Sequence, residues 1–417
     1  MTSAIQISGA GPVGLAFALF AHAQGLPVSL VESKPRDSWA RDLVASPRSV
    51  ALAHGSRQLL ERVDVWRGLI GAPLQTIHVQ QAQAFGHTVI RHTDVGAPAL
   101  GTVLRLGTLT QALAQQVTAR GIEFRYGWTD AQPQPGTLHV QAEGTPHTIT
   151  LIKEYLQSAV VADVTVSAPR LGEAFEFFTP HGPLALLPLP SDEGPHGGQQ
   201  ADQMSLVWCC AHTEAARLAA LDESNFLREL QHAFGDRLGA FTAARARAIF
   251  PLRLVRGAPA DPGVIALGNA AQSLHPVAGQ GLNLGLRDAF ECAALLAVAQ
   301  DGLLPGERLN GPALASAFAH ARARDRGETV RLTDGYVSLF SNEFTPLAWA
   351  RGAGLNALNA IGPLRRLVAT RMMHGVRVSS GLSEEPTRHP SADQPAGFSG
   401  IARAVASLRQ RARQAYR

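Results

Sequence analysis

Apolar positions in the N-terminal part of the chain come in short runs separated by glycine-rich or charged breaks. Ala4 to Ser8 predicts a short strand. Three glycines follow, and then an apolar stretch from Leu15 to Ala23 that fits a helix. Leu26 to Val31 is a second short run, closed by Glu32, and predicts a second strand. Val50 to Leu60 carries a helical pattern, and Ile122 to Tyr126 a strand returning to the first two. From Tyr155 onward the rhythm changes. Tyr155–Val164, Ala174–Leu189 and Met204–Cys210 read as strands joined by turns such as His181-Gly-Pro183, the pattern of an antiparallel sheet. Beyond it, an apolar run from Val264 feeds a Gly268-Asn269 corner. A polar loop follows, and a glycine-rich segment enters a helix. Gly381 to Gly400 is rich in proline, serine and glycine and reads as a linker. Ile401 to Arg417 then places Ile401, Val405, Leu408, Ala412 and Tyr416 near one face of a terminal helix.

Two of these breaks carry chemistry. The first is Gly9-x-Gly11-x-x-Gly14, set between strand and helix, with Glu32 lying 18 residues after Gly14 at the end of the second strand. Glycines there permit a tight turn and close approach of a pyrophosphate, the helix start attracts phosphate, and the acid suits a ribose hydroxyl pair. Strand, glycines, helix, strand and acid in this order predict a dinucleotide site, for which NAD and FAD compete. The second break runs from His275 to Asp288. Gly279, Gly281 and Gly285 remove side chains where a flat electron-rich ring could approach the backbone, and the helix start offers bare N–H groups. His275 reads either as part of the chemistry or as a residue that holds the loop's shape.

The order His-Pro-x-x-Gly-Gln-Gly-x-Asn-x-Gly-x-x-Asp in this segment resembles the second FAD motif of the ubiquinone-biosynthesis hydroxylases, a branch of the flavin aromatic monooxygenases. The likeness is strongest to the polyprenyl-methoxyphenol hydroxylases. It extends through Phe175 to Pro188, Ser205 to Trp208 and Thr333 to Asn342, and so from residue 1 to the region of Gly375. The resemblance decides for FAD over NAD. It implies an α/β fold with a discontinuous, Rossmann-like FAD-binding domain from residues 1–72, 101–150 and 252–345, and a β-sheet substrate domain from 73–100 and 151–251. A helical region (346–380) and a linker with a basic tail (381–417) complete the chain. It implies that FAD is held by Gly9, Gly11, Gly14, Glu32, Arg48, Gln111, Gly268, Asn269 and the run Gly279, Gln280, Gly281, Leu282 and Asn283. His275 and Pro276 would stand at the reacting face. The implied reaction takes electrons from NADH or NADPH and one oxygen atom from O2 to hydroxylate a polyprenylated phenol, the flavin carrying the oxygen chemistry. Leu184–Leu189, Met204–Trp208 and the cluster Phe175, Phe177, Phe178 are candidates for an apolar channel, or for plain sheet core. Two other functions stay open: an FAD hydroxylase of a small soluble aromatic acid, and a flavin-binding accessory subunit working with other ubiquinone-biosynthesis proteins. One departure bears on the last. The family's mid-chain Ala-Asp-Gly is here Ala142-Glu143-Gly144, and the stretch between Tyr126 and Val140 looks trimmed of a hairpin.

Composition narrows the class further. At 417 residues and 46% hydrophobic content the chain can bury a large core. Cys209, Cys210 and Cys292 form neither a metal spacing nor a disulfide framework. No transmembrane run and no basic leader is read, so a cytoplasmic enzyme is expected. The charge is lopsided. From Arg365 onward ten arginines face three acids, an excess of +7, so with +4 overall the remainder carries −3. The basic tail therefore predicts peripheral contact with an anionic membrane or an acidic partner. Nucleic acid is excluded as a partner, because the rest of the chain is acidic and holds no recognition motif.

Overall fold

The computed structural model describes residues 5–81, 85–128, 136–179, 181–190, 202–259, 261–275, 279–303, 307–340 and 345–375. The linker and basic tail lie outside these residues, as does Pro276. In chain order the first elements are β1 (Ile5–Ser8), α1 (Pro12–Ala23), β2 (Val28–Glu32), α2 (Arg36–Ala45), β3 (Ser49–Ala53), α3 (His54–Glu61), β4 (Ala72–Leu74), β5 (Thr76–Gln81) and β6 (His87–Arg91). Next come β7 (Gly101–Arg105), α4 (Leu106–Ala119), β8 (Glu123–Tyr126), β9 (Leu138–Gln141), β10 (Thr148–Val166), β11 (Glu173–Thr179), β12 (Gly182–Pro188), β13 (Gln203–Ala211), α5 (His212–Ala220) and α6 (Glu223–Phe234). The chain continues through β14 (Phe241–Ala258), β15 (Ile265–Ala266), β16 (Gln272–Ser273), α7 (Gln280–Asp301), α8 (Gly311–Phe340), α9 (Thr345–Ala360) and α10 (Gly362–His374).

The strands form three sheets. A five-stranded parallel sheet has the order β15-β9-β1-β2-β8. β1 and β9 at its centre are buried along their whole length, although apolar and polar residues alternate in both. Residues Val13 to Ala21 of α1 are all buried, and they share one core with Ile5, Ile7, Leu30, Val140 and the buried side of α7. Each Leu or Phe so enclosed stabilises the fold by about 1.5–3 kcal/mol. The second sheet has eight strands in the order β16-β14-β10-β13-β12-β11-β5-β6. It is antiparallel except where β5 lies parallel to β11. Its even-numbered residues on β10, Val160, Ala162, Val164 and Val166, join Trp208, Phe226, Leu230 and Phe234 in a core under α5 and α6. A three-stranded sheet, β3-β7-β4, stands beside both.

The structure corrects the helix expected over Val50–Leu60. Val50 to Ala53 belong to β3, which pairs antiparallel with β7, and the helix begins only at His54. The close pairing explains why residue 101 is glycine: a Cβ there would sit 2.5 Å from the Leu52 carbonyl oxygen. A strand partner some fifty residues away thus overrides the local helical pattern. Phe175 and Phe177 are also reassigned. Both pack on Phe234 in the helix-covered core, so they line no channel, whereas Phe178 lies with Val79, Tyr155, Tyr336 and Leu355.

A buried charge cluster fixes α7 to α8. Arg322 is 0% exposed and meets Asp288, Glu291 and Asp325. Arg287 pairs with Asp325, and Arg326 with Asp288. Burial pushes the Asp325 carboxyl up, but Arg287 and Arg322 prevail and hold it at about 2. Asp288, the last residue of the glycine-rich segment, therefore serves this cluster.

Candidate functional site

Strands β1, β9 and β15 run parallel and end at one edge, and the two glycine turns meet there. Gly9 leaves β1 at φ +100°, where a Cβ would press to 2.8 Å on the Ala142 backbone and the Glu143 nitrogen. A Cβ on Gly14 would lie 2.0 Å from the Gly9 oxygen. These two positions admit only glycine. Gly11 differs: a Cβ there would have nothing within 4 Å. It is the N-cap of α1, no side chain caps the helix, and Pro12 occupies its first turn. The bare N–H groups of α1 thus face open space, an arrangement suited to a pyrophosphate. Glu32 stands beside the turn. Its carboxylate accepts hydrogen bonds from the Ala10 N–H (2.9 Å) and the Lys34 N–H (3.0 Å), which fixes it beside the turn.

The second turn is built against the first. The Leu267 N–H donates to the Gln141 carbonyl at 2.8 Å, joining β15 to the end of β9. Gly268 follows at φ +57°, with the Val13 side chain 3.1 Å from where its Cβ would be, and Asn269 is exposed at the corner. A Cβ on Gly285 would also strike Val13, at 2.7 Å. Gly279 adopts the left-handed conformation (φ 58°) as the N-cap of α7, again with no capping side chain. Gly281, like Gly11, has open space where its Cβ would be.

The side chains predicted around this turn divide by task. Asn283 is 2% exposed and fully engaged: its Oδ1 accepts from the Ala53 N–H at 2.8 Å, and its Nδ2 donates to the carbonyls of Ala51 (2.9 Å) and Gly279 (2.8 Å). It ties α7 to β3, so its side chain holds the turn instead of reaching a ligand. The Gln280 side chain extends to the Met372 carbonyl on α10, at 3.4 Å, and Leu282 packs on the core. Backbone, not side chains, faces outward along 279–283. His275 is also placed differently from an exposed acid or base. It is 1% exposed, packs edge-on against Tyr155 at 5.1 Å, and burial lowers its ring to about 4, so it is neutral at pH 7.

Arg48, Gln111 and Glu143 border the same region. The Arg48 carbonyl accepts from the Leu106 N–H at 2.9 Å, while its guanidinium lies 5.7 Å from the Phe250 ring. Gln111 is partly buried on α4, the helix that follows β7. The Glu143 carboxylate turns to the His147 ring, 2.5 Å away, whose other nitrogen meets the Gln141 amide at 2.9 Å. The extra methylene relative to aspartate thus carries this carboxylate onto a histidine four residues on, while its backbone hems the first turn.

One face of the eight-stranded sheet meets β3, the end of β7 and His275, the residue before the second turn. Ser205 meets Ser49 of β3 at 2.5 Å, Asp163 accepts two hydrogen bonds from Arg105 at the end of β7 (2.8 and 2.6 Å), and Tyr155 touches His275. Between these ties the face is apolar, with Ala159, Val161, Val207, Cys209, Phe250 and Leu252. A hollow of about 60 Å³ lies beside Asn283 and Gln280, walled by Ala51, Leu74, Ile77 and Met372 among others. Glu176, on β11, was missed by sequence reasoning. Its signal was a lone acid between Phe175 and Phe177, which strand alternation turns to the face opposite those rings.

No model of a known protein family matches the chain. Ubiquinone hydroxylase UbiL of Rhodospirillum rubrum is 30% identical over 425 residues, spanning 92% of this chain and 91% of that protein. Among solved structures, p-nitrophenol 4-monooxygenase PnpA from Pseudomonas putida DLL-E4 superposes with a TM-score of 0.66 at 15% identity, covering 90% of this chain and 100% of that one. A variant of Klebsiella pneumoniae HpxO complexed with FAD gives a TM-score of 0.63 at 12% identity, covering 89% and 99%. At these identities the structural likeness concerns the fold.

Proposed function

Because the chain belongs to the ubiquinone-biosynthesis flavin hydroxylases, a family of FAD-dependent monooxygenases, we propose that its substrate is a polyprenylated methoxyphenol and its electron donor NADH or NADPH. The residues present fit FAD. Gly11 and Gly281 leave space on which no described protein atom encroaches, Glu32 stands beside the first turn, and two uncapped helix starts converge on the same edge. When bound, FAD supplies the redox and oxygen chemistry. The chain's own residues bind, orient and exclude water. The start of α7 favours negative charge beside it, and the buried neutral His275 keeps the loop before it in shape.

The observation that carries the substrate reading is the apolar face of Ala159, Val161, Val207, Phe250 and Leu252, on the side of the sheet that meets β3 and His275. Arg105 on this side is paired with Asp163, while the Arg48 guanidinium beside Phe250 is the cation that a small aromatic acid would use. The apolar hollow at Ala51, Leu74 and Ile77 suits the first carbons of a prenyl chain. Among the described residues no helix is long and apolar enough to cross a membrane. The membrane contact we propose is peripheral, through the arginine-rich tail and the exposed Trp349 of α9, Ile361 before α10, and Leu364 and Leu367 of α10.

The deciding experiment measures NADPH and NADH oxidation and product mass with the purified yellow protein, with and without a short-chain prenylated methoxyphenol. A hydroxylated prenylphenol supports the reading. Turnover of 4-hydroxybenzoate alone points to the soluble-acid hydroxylase. Bound FAD without oxidation of either donor points to an accessory subunit. Separately, a chain ending at Gly400 should retain FAD and turnover but lose low-salt binding to phosphatidylserine vesicles. Equal binding by both chains removes the tail from the reading.

A further inference from the structure

Glu176 sits on β11 with Val79 of β5 and Ala185 of β12 as its cross-strand neighbours. It points away from the Phe175–Phe177–Phe234 core, toward the side where Phe178, Tyr155 and Tyr336 gather. Among the described residues its carboxyl makes no hydrogen bond and no ion pair. The residue is half-buried, on the sheet face that also carries Cys209 of β13. The titratable groups within its influence are Cys209 on β13 and Tyr336 on α8. Both are pushed up first by burial and then by the Glu176 charge. Tyr155, next in the cluster, donates to Asp334, which Lys153 also meets. Burial alone pushes the Glu176 carboxyl up to about 8, so at pH 7 it is chiefly the neutral acid.

A half-buried carboxyl among aromatic rings, with no partner among the described residues, is placed to meet a ligand that completes its hydrogen bonds. We propose that Glu176 hydrogen-bonds the oxygen substituents of the substrate ring and selects neutral phenols over aromatic acids. A neutral carboxyl offers one O–H donor and acceptor capacity at the same point. A ring bearing a hydroxyl beside a methoxy group matches both. A ring carboxylate does not, because it would bring a charge beside a carboxyl that cannot compensate it. This inference rests on the phenol reading above and narrows it to uncharged rings.

The test uses FAD-loaded protein, a geranyl-substituted methoxyphenol and 4-hydroxybenzoate. Dissociation constants come from calorimetry, and kcat/KM is followed from pH 6 to 9.5. For the wild type, kcat/KM on the neutral phenol should fall as pH rises through about 8, where Glu176 ionises. Phenols themselves titrate only near about 10. Glu176→Gln should keep kcat/KM within about threefold and lose that limb, because the amide still donates and accepts. Glu176→Leu should bind the phenol about 10- to 30-fold more weakly with unchanged flavin content, shrinking the preference over 4-hydroxybenzoate. Wild-type affinity in Glu176→Leu, or a surviving limb in Glu176→Gln, would make Glu176 a sheet residue only. If Glu176→Leu does not fold, the limb in Glu176→Gln decides alone. A wild type that binds no neutral phenol overturns the substrate reading itself, and this inference with it.

Discussion

In the first glycine turn the crowded positions meet rigid backbone, their own and that after β9; in the second they meet a side chain of the first. Gly9 and Gly14 are hemmed by Ala142, Glu143 and the Gly9 carbonyl, all backbone that cannot yield. Gly268 and Gly285 are hemmed by the side chain of Val13, a residue of the first motif. The first turn is thus moulded by backbone, including the chain after β9, and the second takes its shape from the first. Each also holds one glycine, Gly11 or Gly281, beside which there is only open space. In these two turns the crowded glycines serve the fold, and the open ones leave room for something that comes from outside.

Four experiments can break or sharpen that contrast. Gly14→Ala should be the most damaging, at or above the top of the about 1–3 kcal/mol range for overpacking, because its methyl group meets a carbonyl oxygen. Recovery of folded protein with a native melting temperature would contradict the crowding at this turn. The next effect belongs to the second turn alone, through its buried histidine. The unfolded His275 titrates at 6.5 and the folded one at about 4. The unfolded chain therefore takes up the proton first. Stability is full above about 6.5, declines as pH falls toward about 4, and stops declining below that, by on the order of 3 kcal/mol. His374 contributes in the same window, since burial, and then His54 and Arg287, lower it to about 4 as well. Urea midpoints between pH 7.5 and 4 should show part of the decline removed by His275→Leu, the rest being shared by His374, His54, His78 and His139, which burial also lowers; an unchanged slope would place His275 in water.

Gly285→Ala should cost about 1–2 kcal/mol, less than Gly14→Ala, because the Val13 side chain can shift. Val13→Ala in the same chain should restore part of that loss. Strict additivity of the two changes would dissolve the link between the motifs. Gly11→Val and Gly281→Val should alter the stability of the flavin-free protein least, within about 0.5 kcal/mol. Both should nevertheless give colourless protein, checked by absorbance and by chromatography of acid-released cofactor. A yellow Gly11→Val protein would mean that the open space is not the cofactor's.

What sequence could foretell follows the distance over which each feature is decided. Gly9, Gly11, Gly14 and Glu32 lie within one strand–turn–helix–strand unit, so spacing alone placed them. Val50 to Ala53 could not be placed this way, because pairing with Gly101–Arg105 makes them a strand. Neither could β15, a mere two residues at the sheet edge, nor the union of β5 with β11. In the site, the family-like order marked Asn283 and His275 as important but not why. One proves to be a tie to Ala51 and Ala53, the other a buried neutral ring. Glu176 was visible only as an acid in an apolar strand, and a strand's own sequence does not say which face meets a hollow.

The order of strands also sets a timetable for synthesis. β9 sits between β1 and β15, so the parallel sheet keeps an open apolar edge until Ile265 and Ala266 have left the ribosome. β5 likewise waits for β11, about a hundred residues downstream. Neither sheet can close before most of the chain has emerged, so the nascent protein carries two unpaired edges for much of its translation. Strand edges held open this long are natural clients for chaperones that bind extended apolar segments, and slowed translation upstream of residue 265 should raise the fraction that aggregates.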